Sequence, residues 1–190
     1  MRLAAEHIKL GQVNEALELC EQAVEKDPNY YEARLLLGGL YSTLKVYDKA
    51  IEQYEAILSK KPNHPDASLY LAAVYSEQKK YDKAIKIFES LIANPDYTSP
   101  HMAYYYIGRV RLEQKEEKYI KAAELAFKKA LEIKPDFVEA VLTLGNYYSS
   151  IKKEQQLYHL YYQPDNAEHY LKIFCTTLEL QFTRQQKQYD

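Results

Sequence analysis

Residues 31–62 read YEARLLLGGLYSTLKVYDKAIEQYEAILSKKP, which is a helix, a tight turn, a second helix and a stop. The chain then repeats itself. Leu37, Gly38 and Tyr41 return as Leu71, Ala72 and Tyr75, all three at the same step. Ala50, Tyr54 and Pro62 return as Ala84, Phe88 and, one place early, Pro95. A fixed period of about 34 residues signals stacked supersecondary units, each unable to bury its apolar face alone. The expectation is an all-α solenoid of helix–turn–helix units.

Outward from this stretch the period first holds and then drifts. Leu3 and Ala4 fall one full period before Leu37 and Gly38, so the chain opens inside a repeat with only a short part of its first helix. Gly11 and Asn14 set the turn that follows, and Glu15–Glu25 is amphipathic. The half-length opening helix is read as the mark of a fragment, a misassigned start or a dimer contact. Downstream, the step from Ala72 to Gly108 is two places longer than the period, the excess lying in NPDYTSP at 94–100. The interval from Gly108 to Ala123 exceeds that from Gly38 to Ala50 by three positions, which is read as a longer loop in EQKEEKYI. About five repeats result, at 1–29, 30–63, 64–98, 99–136 and 137–190. Together they form one domain, the first repeat truncated and the last with an enlarged turn. An insertion at 151–164 contains LYHLYY at 157–162, and a capping helix is expected at 165–187. The small residues Gly38, Ala72, Gly108 and Gly145 are placed where the two helices of a repeat cross, faced by Ala50, Ala84, Ala123 and Ala167.

Composition excludes several classes. A formal charge of −2 argues against a polyanion-binding surface, which needs clustered Lys and Arg. Cys20 and Cys175 form no CxxC pair and no metal spacing, as in a reducing compartment. The opening MRLAAEHIKLGQ lacks a signal peptide's apolar core, and no run approaches the roughly 18 apolar residues of a membrane span. A cytoplasmic protein without membrane insertion is expected. His64 and His101 stand at helix starts and are read as solvated. His159, His169 and Cys175 are the one constellation worth naming as metal ligands, and a weak one. No glycine-rich phosphate loop or nucleophile motif is present. No enzyme activity and no cofactor are expected.

The phase of small and aromatic positions resembles the tetratricopeptide repeat family. It rests on Leu37-Gly38, Tyr41, Ala50, Tyr54 and Pro62, and on Leu71-Ala72, Tyr75, Ala84 and Phe88. Further along it rests on Ile107-Gly108, Ala123, Phe127, Ala130 and Pro135, and on Leu144-Gly145 and Tyr148. Arg111, where Tyr41 and Tyr75 stand, departs from the pattern, as does the enlarged last turn. The resemblance implies a right-handed α-solenoid of antiparallel helix pairs, and binding of a peptide or helix in a groove lined by the first helix of each repeat.

Helical geometry then names the groove face. Its candidates are Leu36, Gly39, Tyr70, Ala73, Tyr105, Tyr106, Arg109 and Asn146, with Ser42, Thr43, Ser76, Glu77, Leu112, Glu113, Thr143, Ser149 and Ser150 on the same stripe. One Arg and one Asn, both late, do not make the carboxylate clamp that some relatives use. Tyr70, Tyr105 and Tyr106 have packing against the adjacent repeat as their alternative role. The expected function is a non-catalytic scaffold or adaptor that binds a protein or peptide ligand, but not nucleic acid. The alternatives are a substrate-holding chaperone of a secretion or assembly pathway, and a self-associating segment that forms a homodimer.

Overall fold

The computed structural model describes residues 1–151. The insertion from 152 onward, the capping helix, Ala167, His159, His169, Cys175 and the run 157–162 lie outside the described residues. Nine helices and no strands are found among the described residues: α1 (Arg2–Lys9), α2 (Val13–Lys26), α3 (Tyr31–Thr43), α4 (Tyr47–Lys60), α5 (Pro65–Glu77), α6 (Tyr81–Ala93), α7 (Pro100–Glu113), α8 (Glu117–Ile133) and α9 (Val138–Ser150). They form two compact units divided between Thr98 and Ser99. The division falls in the segment that carries the two extra residues.

In the first unit, α1–α2, α3–α4 and α5–α6 pair, and each second helix packs on the first helix of the next pair. In the second unit α7 pairs with α8, and α8 packs on α9. The fold is an all-α repeat of helix pairs, as the period requires.

The pairs close on a ring set against bare backbone. A Cβ added to Gly38 would stand 2.6 Å from Tyr54 Cε1, and one added to Gly108 would stand 2.7 Å from Phe127 Cε1. The alanines Ala50 and Ala123 were expected opposite these glycines. Rings one helical turn further along come nearest to the glycines. Tyr54, Phe88 and Phe127 are buried, as are Ala50, Ala84 and Ala123. A helical glycine costs about 1 kcal/mol against alanine; here it admits an aromatic side chain whose burial stabilises by about 2 kcal/mol or more.

The turns inside the pairs share one geometry. Gly11, Lys45, Lys79 and Lys115 all have left-handed backbone, φ +73°, +60°, +59° and +60°. Lys45 N–H donates to the Ser42 carbonyl and Val46 N–H to the Tyr41 carbonyl. Lys79 and Lys80 repeat this pattern with Ser76 and Tyr75, and Gly11 and Gln12 repeat it with Ile8 and His7. This is the double bond that satisfies the carbonyls left open at a helix C-terminus. Asn14 lies inside α2, so the first turn is made around Gly11 alone. The turn before α8 is no longer than the others. The three extra residues sit in the helix, which has 17 residues against 14 in α4. The segment EKYIKAA contains good helix formers, so the second helix simply begins earlier.

Neighbouring pairs are joined by a recurring polar contact. Tyr41 Oη donates to Glu21 at 2.5 Å, Tyr75 Oη to Glu55 at 3.4 Å and Tyr148 Oη to Glu124 at 2.7 Å. Arg111 takes the tyrosine's place in its repeat. It donates to Gln114 at 3.1 Å and its guanidinium lies over the Tyr119 ring. The buried amide of Gln53 accepts from Arg34 Nη1 at 2.7 Å.

Two substitutions test this account with opposite signs in urea unfolding. Gly38→Leu is expected to lower stability by about 1–3 kcal/mol through overpacking against Tyr54. Lys45→Gly is expected to raise it by about 1 kcal/mol, because glycine has no penalty in the left-handed region.

Candidate functional site

The first unit contains a mostly apolar cleft of about 660 Å³. Helices α1, α3 and α5, the first of each pair, build it. Met1, Arg2, Ala5 and Ile8 come from α1 and its N-terminal cap residue. Glu32, Leu35, Leu36, Gly39, Leu40 and Thr43 come from α3, and Asp66 and Tyr70 from α5. Tyr54 of α4 reaches the floor between them.

Three of the eight expected residues therefore meet in one place: Leu36, Gly39 and Tyr70. Tyr70 is 42% exposed, and its ring lies 5.9 Å from that of Tyr54. Ala73, one turn along α5, is half-buried and does not line the cleft. Arg2, Ala5 and Ile8 stand one full period before Leu36, Gly39 and Ser42. The period that located the stripe would have found them had it been carried back into the short first helix. Glu32 and Asp66 are repeat equivalents of each other and lie in the first turns of α3 and α5. Tyr54 recurs as Phe88, and nothing in its spacing separates the two.

The two glycines of α3 differ. Gly38 is required by the Tyr54 ring. A Cβ on Gly39 would meet only the Tyr54 hydroxyl, at 3.9 Å, which is ordinary contact. Thr43 Oγ1 donates to the Gly39 carbonyl at 3.0 Å.

The remaining candidates lie in the second unit. Tyr105 is half-buried, with ring centroids 5.9 Å from Phe127, 5.2 Å from Phe137 and 5.5 Å from Tyr106. Its hydroxyl is 3.4 Å from Thr143 Oγ1. Arg109 is exposed, its guanidinium 5.9 Å from the centroids of both Tyr105 and Tyr106. Asn146 is exposed on α9. Tyr105 thus has the packing role named as its alternative, while Arg109 and Asn146 present polar groups.

The histidines at helix starts are not simply solvated. His64 Nδ1 accepts from Ala67 N–H at 3.4 Å, capping α5. The His101 ring stands edge-on to Phe137 at 5.0 Å. Burial and the nearby Lys134 ammonium hold its pKa below the usual histidine value. Cys20 is buried, which pushes its thiol up to about 11 and leaves it unreactive. Among the described residues no three of His, Cys, Asp and Glu gather as a metal site. No described helix is long and apolar enough to cross a membrane.

Stacked helix pairs with their first helices side by side define a helical-repeat protein. Residues 7–52 and 45–97 each match the tetratricopeptide repeat family model, and the chain is a tetratricopeptide-repeat protein. That family's general role, binding other proteins, comes with the match. No curated protein matches the chain. Among solved structures it is similar to MamA, at 22% identity over 98% of each chain with a TM-score of 0.62. It is also similar to PilW, a widely conserved type IV pilus biogenesis factor, at 24% identity, 94% of this chain, 76% of that one and a TM-score of 0.70. Pseudomonas aeruginosa PilF matches at 19% identity, 92% and 73% coverage and a TM-score of 0.70. At these identities the likeness is one of fold.

The buried tyrosines give the protein an alkaline limit. Burial, with a hydrogen bond to Glu21, pushes Tyr41 up to about 12 from 10.0. Tyr54, Tyr75, Tyr147 and Tyr148 are raised as well, burial being the first cause in each. A folded pKa above the unfolded value means stability that is complete below pH 10 and is lost as pH rises through about 12. With circular dichroism and phenolate absorbance followed together, these tyrosines are expected to ionise only as helicity collapses.

Proposed function

We propose that the protein is a non-catalytic adaptor that binds a partner's peptide or amphipathic helix along α1, α3 and α5. One observation carries the reading: a cleft of about 660 Å³ with an apolar floor, opening on successive first helices and rimmed by charge. Apolar anchors at helical spacing fit such a floor, and tyrosines offer rigid contact area with a polar tip. A phage-displayed peptide library selected on the immobilised protein tests it. Enriched peptides are expected to carry spaced apolar residues and to lose binding to Gly39→Leu, which fills the cleft where a side chain has room. Peptides that bind Gly39→Leu as well as the parent, with matching circular dichroism spectra, would place the ligand elsewhere.

A second reading is self-association through α1. Leu3 is 55% exposed, whereas its repeat equivalents Leu37 and Leu71 are 3% and 6% exposed. Light scattering at high micromolar concentration is expected to show a dimer that Leu3→Glu dissolves; a monomer throughout removes this reading.

A further inference from the structure

Most of the cleft's lining is explained by burying apolar surface. Four groups are not. Gly39 sits in the interior of α3, at a cost of about 1 kcal/mol against alanine, yet a methyl there would clash with nothing. Beneath it lies the Tyr54 hydroxyl. Tyr54 is 1% exposed, and its hydroxyl makes no hydrogen bond to a described residue. The hydroxyl is particular to this repeat, because Phe88 and Phe127 hold the equivalent place. So is the second glycine, replaced by Ala73 and Arg109. The missing side chain and the added hydroxyl occur together, and the first opens a path to the second. At the mouth, Glu32 and Asp66 have no ion-pair partner among the described residues.

The chemistry of these groups has one sense. The carboxylates accept, the hydroxyl has free lone pairs, and the paired rings of Tyr54 and Tyr70 offer negative faces. Among the described residues Arg2 is the one cationic side chain lining the cleft, and it comes from α1 rather than from the Gly39–Tyr54–Tyr70 end. We propose that the ligand is an amphipathic peptide that inserts a lysine or arginine side chain beside Gly39. Its aliphatic stem would lie along Leu36 and Tyr70 and an N–H group would be received by the Tyr54 hydroxyl, while Glu32 and Asp66 add negative charge at the mouth. This rests on the groove reading above and specifies its partner.

Two labelled synthetic peptides of one amphipathic helical design decide it, with identical apolar residues and either lysine or glutamine at the intervening positions. Binding is read by fluorescence anisotropy. The parent protein is expected to prefer the lysine peptide about tenfold, the scale of a hydrogen bond to a charged group. Tyr54→Phe keeps the ring and should fold, since Phe88 fills the same place; it is expected to lose much of the preference. Glu32→Gln with Asp66→Asn is expected to remove the rest. Equal binding of both peptides by the parent, or a preference that survives both variants, overturns the basic-residue inference and leaves the groove standing. Binding of neither peptide by the parent overturns both.

Discussion

The architecture depends on an aromatic ring of the second helix pressed against the bare backbone of the first. Gly38 under Tyr54 and Gly108 under Phe127 show it directly. Ala72 and Phe88, both buried, hold the same two places in the repeat between them. The contact brings paired helices close enough to bury the ring whole. In the first unit the end of the Tyr54 ring also reaches the floor of a cleft walled by the first helices.

Register follows from the same place. The interval from Gly38 to Lys45 is the same as from Ala72 to Lys79 and from Gly108 to Lys115. The left-handed residue ends the first helix at a fixed distance from the crossing point, held by two backbone bonds at Lys45 and Lys79 and by the Lys115 N–H to Leu112 carbonyl bond in the third turn. Variation is therefore admitted only beyond the turn or between pairs. The three residues added to α8 and the two added before α7 obey this rule.

Much of this was legible in the sequence because it is periodic. Leu36, Gly39 and Tyr70 could be placed on one face by counting from Gly38, and the structure puts all three in the cleft. What was missed did not announce itself by period. Lys115 makes the same left-handed turn as Lys45 and Lys79, but the longer interval from Gly108 to Ala123 read as loop where it is an added turn of α8. Arg2, Ala5 and Ile8 sat in a helix too short to draw attention. Tyr54 shares its spacing with two phenylalanines, and only the geometry of Gly39 sets its hydroxyl apart.

The cleft has its floor on α3, at a glycine that packing does not require, above a phenol with no partner among the described residues. Backbone amide shifts recorded while the lysine-bearing amphipathic peptide is titrated in test this assignment most directly. The account predicts the largest changes at Gly39 and its α3 neighbours Leu36 and Thr43, together with Tyr70 on α5. Changes confined to the second helices α4 and α6, with Gly39 unmoved, would contradict it.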